Sequence, residues 1–387
     1  MEQQPIITDS FEVGPFRPPS EAFSLLLRLT RNCPWNRCRF CGMYKSQRFE
    51  LRPVEEIKKD IEAVKRIYDR IVALSWKWAM PGRLRETARM ILSRQPDQAT
   101  YNVALWLYGG GQNVFLQDAN SLIMRTHELA EVLRFIKETF PDVNRITSYG
   151  RSKTAAKKTL EELIEIHEAG LTRLHVGLES GSDTVLKLMD KGVTAAEQIT
   201  GGRKVVESGI SLSEYVLLGL GGRGLWQEHA IETARVLSAI DADFIRIRTL
   251  SVSPMLPMYA DVAEGSWVQT TDEEMVAELR LLIEHLDCNS NFVSDHINNL
   301  LQEVEGKLPD DKNRMLAVIN HFQALPPEER TNFRIGRRAR IYTSLDELND
   351  VRKHQVVEQI VYELNQGDHE NEREALGRLL GVNFDTL

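Results

Sequence analysis

The stretch SLLLRLTRNCPWNRCRFC, residues 24–41, decides the fold. Its apolar first part, residues 24–30, predicts a β-strand, and Cys33, Cys38 and Cys41 follow that strand directly. In α/β barrels the reactive groups lie in the loops at the carboxyl ends of parallel strands. The stretch therefore predicts a loop with three thiols at the carboxyl end of a first strand.

The alternation of short apolar runs with longer amphipathic ones continues beyond this loop, which is typical of βα units. Further strands are predicted over residues 113–116, 145–149, 173–178, 212–218 and 244–250. Helices are predicted over residues 54–70, 126–140, 154–169, 195–208, 226–240 and 271–286. Six such repeats predict an α/β fold, an incomplete (β/α)6 barrel of the TIM type.

Three parts of the chain lie outside this repeat. Residues 1–23 form an N-terminal segment, and residues 71–101 are interpreted as a helical insertion with a helix over 83–93. We expect the barrel to occupy residues 24–287 and a mostly helical cap to occupy residues 288–387. Within the cap, an edge strand is expected at 291–294, and helices are expected at 310–324, 345–365 and 370–380.

Composition limits the class of protein. The chain has 387 residues, of which 42% are hydrophobic and 27% charged, as in globular proteins. No apolar run approaches the roughly 20 residues that cross a bilayer, and no secretory signal is seen, so we expect a cytoplasmic protein without a membrane partner. The net charge of −8 makes nucleic acid an unlikely partner, because phosphate binding requires clustered basic residues.

The cysteine spacing indicates a metal site. Three of the four cysteines fall within nine residues, and Cys288 stands far along the chain, which does not suit a disulfide framework. Three thiolates can bind three irons of a cubane cluster and leave the fourth iron without a protein ligand. The alternative is zinc, which needs a fourth ligand. The sequence offers no second cysteine or histidine pair for it.

The cysteine loop resembles that of the radical S-adenosylmethionine (SAM) superfamily. The usual spacing there is C-x3-C-x2-C with an aromatic residue before the last cysteine. This chain has C-x4-C-x2-C, and Phe40 takes the aromatic position. Residues 17–21 and 42–44 are similar to proteins allied to oxygen-independent coproporphyrinogen oxidases and methylthiotransferases. The resemblance implies that Cys33, Cys38 and Cys41 hold a [4Fe–4S] cluster and that SAM binds to it.

The resemblance also implies contacts with SAM. Phe40 is expected beside the adenine. Asp118 takes the place of an acidic residue that binds the amino group of SAM, with Gln117 contributing its backbone carbonyl. Ser148 and Arg151 follow the third strand, a position that contacts the ribose and the methionine carboxylate in the superfamily.

Two further strands carry candidate ligands. Glu179, after the fourth strand, can accept hydrogen bonds from two ribose hydroxyls. Arg246 and Arg248 alternate with isoleucines on the sixth strand, so their side chains share one face. If that face is the barrel interior, they suit a carboxylate or phosphate; if it is the helix side, they are structural ion-pair partners. Arg248 is included among the predicted SAM contacts.

The resemblance implies an enzyme that cleaves SAM reductively to a 5′-deoxyadenosyl radical, which abstracts hydrogen from a small or medium-sized organic substrate. Its expected electron donor is flavodoxin or a ferredoxin-like protein. The identity of the substrate is not predicted. One alternative is a non-catalytic iron–sulfur protein, a redox sensor or cluster carrier. A weaker alternative is an RNA-modifying radical SAM enzyme, which the acidic charge opposes.

Overall fold

The structure, a computed structural model, describes residues 9–366. Its strands are β1 (Leu25–Arg28), β2 (Thr30–Arg31), β3 (Glu50–Leu51), β4 (Asn113–Gln117), β5 (Arg145–Gly150), β6 (Arg173–Glu179), β7 (Ser211–Leu218), β8 (Phe244–Thr249), β9 (Asn291–Val293) and β10 (Gly306–Lys307). Its helices are α1 (Val54–Lys77), α2 (Leu84–Leu92), α3 (Gln98–Tyr108), α4 (Thr126–Thr139), α5 (Ser152–Lys157), α6 (Leu160–Glu168), α7 (Asp183–Leu188), α8 (Ala195–Glu207), α9 (Gly222–Ile240), α10 (Tyr259–Ala263), α11 (Asp272–His285), α12 (Lys312–Ala324), α13 (Pro327–Arg338) and α14 (Val351–Gln366).

Eight strands form one sheet in the order β1-β4-β5-β6-β7-β8-β9-β10. The pairs β1–β4, β4–β5, β5–β6 and β8–β9 are parallel, and β10 pairs antiparallel with β9. The six predicted strands are neighbours in their chain order, and the order begins at β1 and ends at β10. The predicted α/β class with an incomplete parallel barrel sheet is therefore confirmed, and the expected edge strand is present as β9.

The chain divides into two compact units. The first comprises Met1–Asn36, Met43–Gly177 and Ala196–Ser213, and the second comprises Arg37–Gly42, Leu178–Ala195 and Glu214–Leu387. Each unit is made of three separate segments of the chain, so its limits differ in kind from the predicted boundaries. The predicted domain boundaries after residues 23 and 287 remain predictions.

The core of the first unit lies between β1, β4 and the helices α1 and α4. Apolar side chains on α1 recur every three or four residues, which places them on one helix face. The buried members of this face are Ile57, Ile61, Val64, Ile67 and Ile71. They pack with the apolar side chains of β1, where Leu25 and Leu27 are at most 1% exposed.

In the second unit, α9 and α11 pack against each other, and α11 packs on α12. Ile245 and Ile247 of β8 are buried, so this strand presents one apolar face. Among residues 9–366, no helix has both the length and the apolarity that crossing a membrane requires.

Two predicted elements are divided in the structure. The helix expected at 154–169 is α5 and α6, because the side chain of Thr159 accepts a hydrogen bond from the Glu162 amide and starts a new helix with a capping box. The strand expected at 24–30 is β1 followed by β2. The second piece leaves the large sheet and pairs antiparallel with β3.

The helical regions are richer than predicted. Within the insertion, α2 confirms the helix expected at 83–93, but α1 runs on to Lys77 and α3 was missed. In the C-terminal region α12 confirms the helix expected at 310–324, and α13 was missed. The helix expected at 345–365 is a 3-10 turn, Leu345–Asn349, followed by α14. The helix predicted at 370–380 lies outside the described residues.

Candidate active site

Two asparagines shape the first half of the cysteine loop. Asn32 and Asn36 have left-handed backbone conformations, with φ of 66° and 47°, which asparagine adopts more readily than most residues. The Asn36 side chain donates to the carbonyls of Tyr44 at 2.5 Å and Gln47 at 3.2 Å. The Asn36 amide donates to Cys33 Sγ at 3.4 Å. These bonds turn the chain back on itself and orient Cys33.

The second half of the loop, residues 37–42, belongs to the second unit and is anchored by its backbone. The Arg39 amide donates to the carbonyl of Met189 at 3.0 Å, and the Arg39 carbonyl accepts from the Met258 amide at 3.0 Å. A turn follows, in which the Cys41 amide donates to the Cys38 carbonyl at 3.4 Å. Cys38 and Cys41 are thus held on a tethered segment.

The donor set fits an iron–sulfur cluster. Cys33, Cys38 and Cys41 are not joined in disulfides, and each is partly exposed. In the described range 9–366, no three His, Cys, Asp or Glu side chains converge on a single metal position. A cubane does not require such convergence, because each thiolate binds a different iron. Three accessible thiols on one short loop therefore suit a cluster with one open iron.

Asp118, at the carboxyl end of β4, is already engaged within the first unit. Its Oδ2 accepts from Arg28 Nη2 at 2.6 Å and Nε at 3.0 Å, and from the amide of Asn32 at 3.0 Å. Its side chain is fully buried. Asp118 thereby ties the start of the cysteine loop to β1 and β4. Its other oxygen, Oδ1, is buried and has no hydrogen-bond partner among the described residues.

Gln117 holds the N-terminal segment. Its side-chain oxygen accepts from the Gly14 amide at 2.9 Å, and its Nε2 donates to the carbonyls of Gly14 at 3.0 Å and Phe16 at 2.7 Å. The Gln117 carbonyl, predicted to contact SAM, accepts from the Leu29 amide at 2.5 Å. A Cβ on Gly14 would lie 2.3 Å from Asp118 Oδ1, so only glycine fits over this carboxylate.

Ser148 and Arg151 occupy different surroundings. Ser148 is 1% exposed, and its hydroxyl donates to the Tyr149 carbonyl at 3.0 Å. Arg151 is the N-cap residue before α5, and its guanidinium lies 5.2 Å from the centroid of the Trp35 ring, within the cysteine loop. The structure therefore brings Arg151 to the loop, while the Ser148 hydroxyl is bound to backbone.

Glu179, Lys191 and Phe40 form a group in the second unit. Lys191 Nζ donates to Glu179 Oε1 at 3.1 Å and lies 5.4 Å from the centroid of the Phe40 ring. Phe40 also packs against an apolar cluster that includes Val185 and Met189. The group combines an acceptor for hydroxyls, a cation and an aromatic face. Lys191 was not predicted from the sequence.

A buried histidine supports the backbone of Glu179. Glu179 has a φ of 65°, a conformation that costs free energy in a residue with a side chain. His229 Nε2 lies 3.1 Å from the Glu179 carbonyl, and His229 Nδ1 lies 2.7 Å from Glu278 Oε1. Glu278 also accepts from the Gly219 amide at 3.1 Å. One ion pair thus connects the ends of β6 and β7.

The protonation of His229 follows from its partners. Burial alone lowers its pKa and is the largest influence, but the Glu278 charge and the hydrogen bonds to Glu278 and Glu179 together raise the pKa above its usual value. Both ring nitrogens face acceptors, and only the imidazolium form can donate from both. We therefore treat His229 as charged.

Helix α9 clamps the loop after β6. Ser182 Oγ donates to Glu228 Oε1 at 2.6 Å, and the Gly181 amide donates to Thr233 Oγ1 at 2.9 Å. A Cβ on Gly181 would lie 2.3 Å from the Glu232 carbonyl oxygen, so the loop and the helix touch. The residues of α9 in this contact were not predicted from the sequence. The available signal was Thr233, a polar residue on the buried face of the helix.

Glu214 of β7 is a second buried acid in this unit. It is 0% exposed, and neither carboxyl oxygen has a hydrogen-bond partner among residues 9–366. Burial, reinforced by the charge of Glu179, raises the pKa of Glu214 well above its usual value, although Lys191 opposes this. Burial therefore favours the protonated form of Glu214. Glu214 also was not predicted.

Arg248, the remaining predicted contact, shares a carboxylate with its neighbour on β8. Arg248 Nη1 lies 2.9 Å from Asp295 Oδ1, and Arg246 Nη1 lies 2.8 Å from Asp295 Oδ2. The sequence prediction left two faces of β8 open. The structure buries Ile245 and Ile247 and gives both arginines an acidic partner after β9.

Comparison with known proteins identifies the class. The sequence model of the radical SAM superfamily matches residues 27–237, more than half of the chain. The chain therefore belongs to the radical SAM superfamily and is an enzyme of that superfamily. Its cofactors are a [4Fe–4S] cluster and SAM, as predicted. No curated protein matches the sequence significantly.

Similar solved structures include methylornithine synthase (14% identity, TM-score 0.43, covering 70% of this chain and 66% of that one). Another is coproporphyrinogen III oxidase from Escherichia coli (14% identity, TM-score 0.42, covering 64% and 48%). A third is HydG, a maturase of the [FeFe]-hydrogenase (13% identity, TM-score 0.41, covering 92% and 80%). This chain thus spans less than two thirds of the length of the first two proteins.

Proposed function

We propose that this protein cleaves SAM reductively and uses the 5′-deoxyadenosyl radical to abstract hydrogen from a small or medium-sized organic substrate. The observation that carries the proposal is the thiol trio on the loop after β1 and β2, within the segment that matches the superfamily. When bound, the cluster and SAM supply the electron transfer and the radical. The chain supplies binding, orientation and a dry environment.

Residues of the second unit are proposed to hold the nucleoside end of SAM. Glu179 can accept from both ribose hydroxyls, because within the described part of the chain only Oε1 of its carboxylate has a hydrogen-bond donor, Lys191. Lys191 provides a cation that holds the Glu179 carboxylate, and Phe40 provides an aromatic surface for adenine. His229 and Glu278 fix the Glu179 backbone, so the carboxylate is oriented before the ligand arrives.

The contacts predicted for the first unit remain proposals. The contact of Asp118 with the amino group of SAM stays a prediction, because Oδ2 already accepts three N–H groups and Oδ1 lies buried beneath Gly14. Arg151 lies beside the cysteine loop and can offer paired donors to the methionine carboxylate. Gln117 and Ser148 are proposed to act through the backbone that they order.

Reductive cleavage needs an electron from outside the chain. We propose a flavodoxin or ferredoxin-like protein of the cytoplasm as its source. The cysteine loop is the place for its approach, because its thiols are partly exposed.

The test is anaerobic reconstitution of the full chain with iron and sulfide, followed by SAM with and without dithionite. We expect 5′-deoxyadenosine and methionine to form in equal amounts, only with dithionite, by liquid chromatography and mass spectrometry. A chain that takes up a cluster and changes redox state without forming 5′-deoxyadenosine would instead be a redox sensor or cluster carrier.

A further inference from the structure

Arg246 and Arg248 form a cationic site at the carboxyl end of β8. They alternate with Ile245 and Ile247, which are at most 1% exposed, so both guanidinium groups extend from the other face of the strand. Arg248 is the penultimate residue of β8. Ligands of parallel α/β sheets bind at this end of the strands.

The site carries more positive than negative charge. Asp295 binds both guanidinium groups, at 2.8 Å and 2.9 Å. The neighbouring His296 adds no charge at neutral pH, because burial and then the charge of Arg248 lower its pKa to about 4. The charges of these two arginines and one aspartate sum to about +1.

One edge of the Arg248 guanidinium is unused. Its Nη1 donates to Asp295 and, at 2.7 Å, to the carbonyl of Ile247. Within residues 9–366, Arg248 Nε and Nη2 make no hydrogen bond. The Tyr215 ring, 4.8 Å from the guanidinium, supports its plane, and 13% of the side chain is exposed. The Nε and Nη2 edge is the one that binds carboxylates in a bidentate manner.

We propose that Arg248 binds a carboxylate group of the substrate through Nε and Nη2, while Asp295 and Tyr215 hold the guanidinium in place. The site selects substrates that carry a carboxylic acid. Calling this ligand the substrate rests on the proposed radical SAM function, whereas carboxylate binding does not. Two other ligands have related chemistry, the carboxylate of SAM itself and a phosphate, and the experiment separates them.

The test uses trifluoroacetate as the carboxylate probe, trifluoroethanol as the neutral probe and inorganic phosphate as competitor. Binding to the reconstituted full chain is followed by broadening of the 19F signal, in wild type, Arg248→Gln and Arg248→Lys. The matched control is Arg280→Gln, a half-exposed α11 arginine that also pairs with one carboxylate, Glu284. SAM affinity is measured on the same samples by titration calorimetry.

We expect trifluoroacetate, but not trifluoroethanol, to bind wild type and Arg280→Gln. Loss of a bidentate charged pair should weaken binding by about tenfold or more in Arg248→Gln. Arg248→Lys keeps the positive charge beside Asp295 and should therefore fold as wild type does. It should also bind the probe weakly, because lysine lacks the paired N–H donors of the guanidinium group. SAM affinity should stay within about twofold of wild type, a change worth less than 0.5 kcal/mol.

Several outcomes would overturn the proposal. Equal trifluoroacetate binding in wild type and both Arg248 variants, or none in wild type, removes the site. A large loss of SAM affinity in Arg248→Gln assigns the arginine to the cofactor. Binding of phosphate without trifluoroacetate excludes the carboxylate. Failure of the radical function itself would appear separately, as an absence of 5′-deoxyadenosine.

Discussion

His229 of α9 and Glu278 of α11 form a buried ion pair, with Nδ1 and Oε1 2.7 Å apart and both side chains at most 1% exposed. The second ring nitrogen of His229 faces the carbonyl of Glu179 at 3.1 Å. The pair therefore joins the packing of two helices to the conformation of a proposed ligand-binding residue. Breaking it should affect stability and SAM binding together.

Replacing His229 with Asn should lower the free energy of unfolding by about 3–5 kcal/mol, because the Glu278 charge stays buried without its partner. The pKa of His229 is raised in the folded state above the usual 6.5. Its stabilising contribution is therefore complete below pH 6.5 and is lost as the pH rises through the folded-state value. Urea unfolding of both proteins between acidic and alkaline pH measures this difference.

The control for this experiment is His285→Asn, an exposed position near the end of α11. It should shift the midpoint little at any pH. A stability difference between wild type and His229→Asn that grows with rising pH would contradict the assignment of a charged histidine.

Gly181→Ala should destabilise the loop after β6. The new Cβ would lie 2.3 Å from the Glu232 carbonyl oxygen and 2.7 Å from Thr233 Cα, and backbone atoms cannot yield easily. We expect a cost of about 1–3 kcal/mol, as for other overpacked sites. Gly224→Ala in the first turn of α9 is the matched control, because nothing lies within 4 Å of its Cβ.

Alanine favours helix over glycine by up to about 1 kcal/mol, so Gly224→Ala should be neutral or stabilising. Thermal unfolding of the two variants measures the difference. Similar melting temperatures for both would show that the loop is not clamped against α9.

Cys38→Ala should remove the open-iron cluster. Two remaining thiolates, Cys33 and Cys41, cannot hold the cubane stably, so iron per chain should fall from about four to well below one after anaerobic reconstitution. Cys288→Ala is the control, since this buried cysteine lies far along the chain and should leave iron content unchanged. Iron analysis and visible absorption report both, and full iron content in Cys38→Ala would refute the ligand assignment.

The strands were predictable because strands of a parallel sheet are buried and therefore appear in the sequence as short apolar runs. The six predicted strands recur as β1, β4, β5, β6, β7 and β8 with small changes at their ends. The errors came from local polar chemistry. The side chain of Thr159 caps the first turn of α6 and so starts a new helix. Thr30 and Arg31 pair with β3 instead of extending the large sheet. Hydrophobic periodicity predicts neither feature, because both depend on local hydrogen bonds.

The site was only partly predictable. The cysteine trio lies within one short segment, so its spacing, its place after the first strand and the family resemblance suggested its chemistry. Lys191, His229 and Glu278 come from three separate segments, and their meeting around Glu179 depends on tertiary packing. Asp118 was predicted as a ligand residue, yet its bonds to Arg28 and Asn32 appear only once β1 and β4 are paired.

Glu179→Gln should weaken SAM binding. The amide keeps the shape of the side chain but removes the charge that binds Lys191 and offers fewer acceptors to ribose hydroxyls. Loss of a charged hydrogen bond is worth about 1.5–3 kcal/mol, so the Kd should rise by about ten- to a hundredfold. Calorimetric titration of the reconstituted protein tests this, with the exposed Glu284→Gln as control. An unchanged Kd would remove Glu179 from the proposed site.

Glu214→Gln tests the role of the buried acid of β7. Burial, then the charge of Glu179, raises the pKa of Glu214 well above 4.5 in the folded state. The contribution of Glu214 to the free energy of unfolding is therefore complete below pH 4.5. It declines as the pH rises through the folded-state pKa of Glu214, because the buried carboxyl group must then lose its proton. Glutamine cannot ionise, so the variant should become the more stable protein at alkaline pH. Chemical unfolding of both proteins at pH values on either side of neutrality gives the comparison. A wild-type protein that gains stability over the variant as the pH rises would mean that Glu214 is ionised and paired in solution.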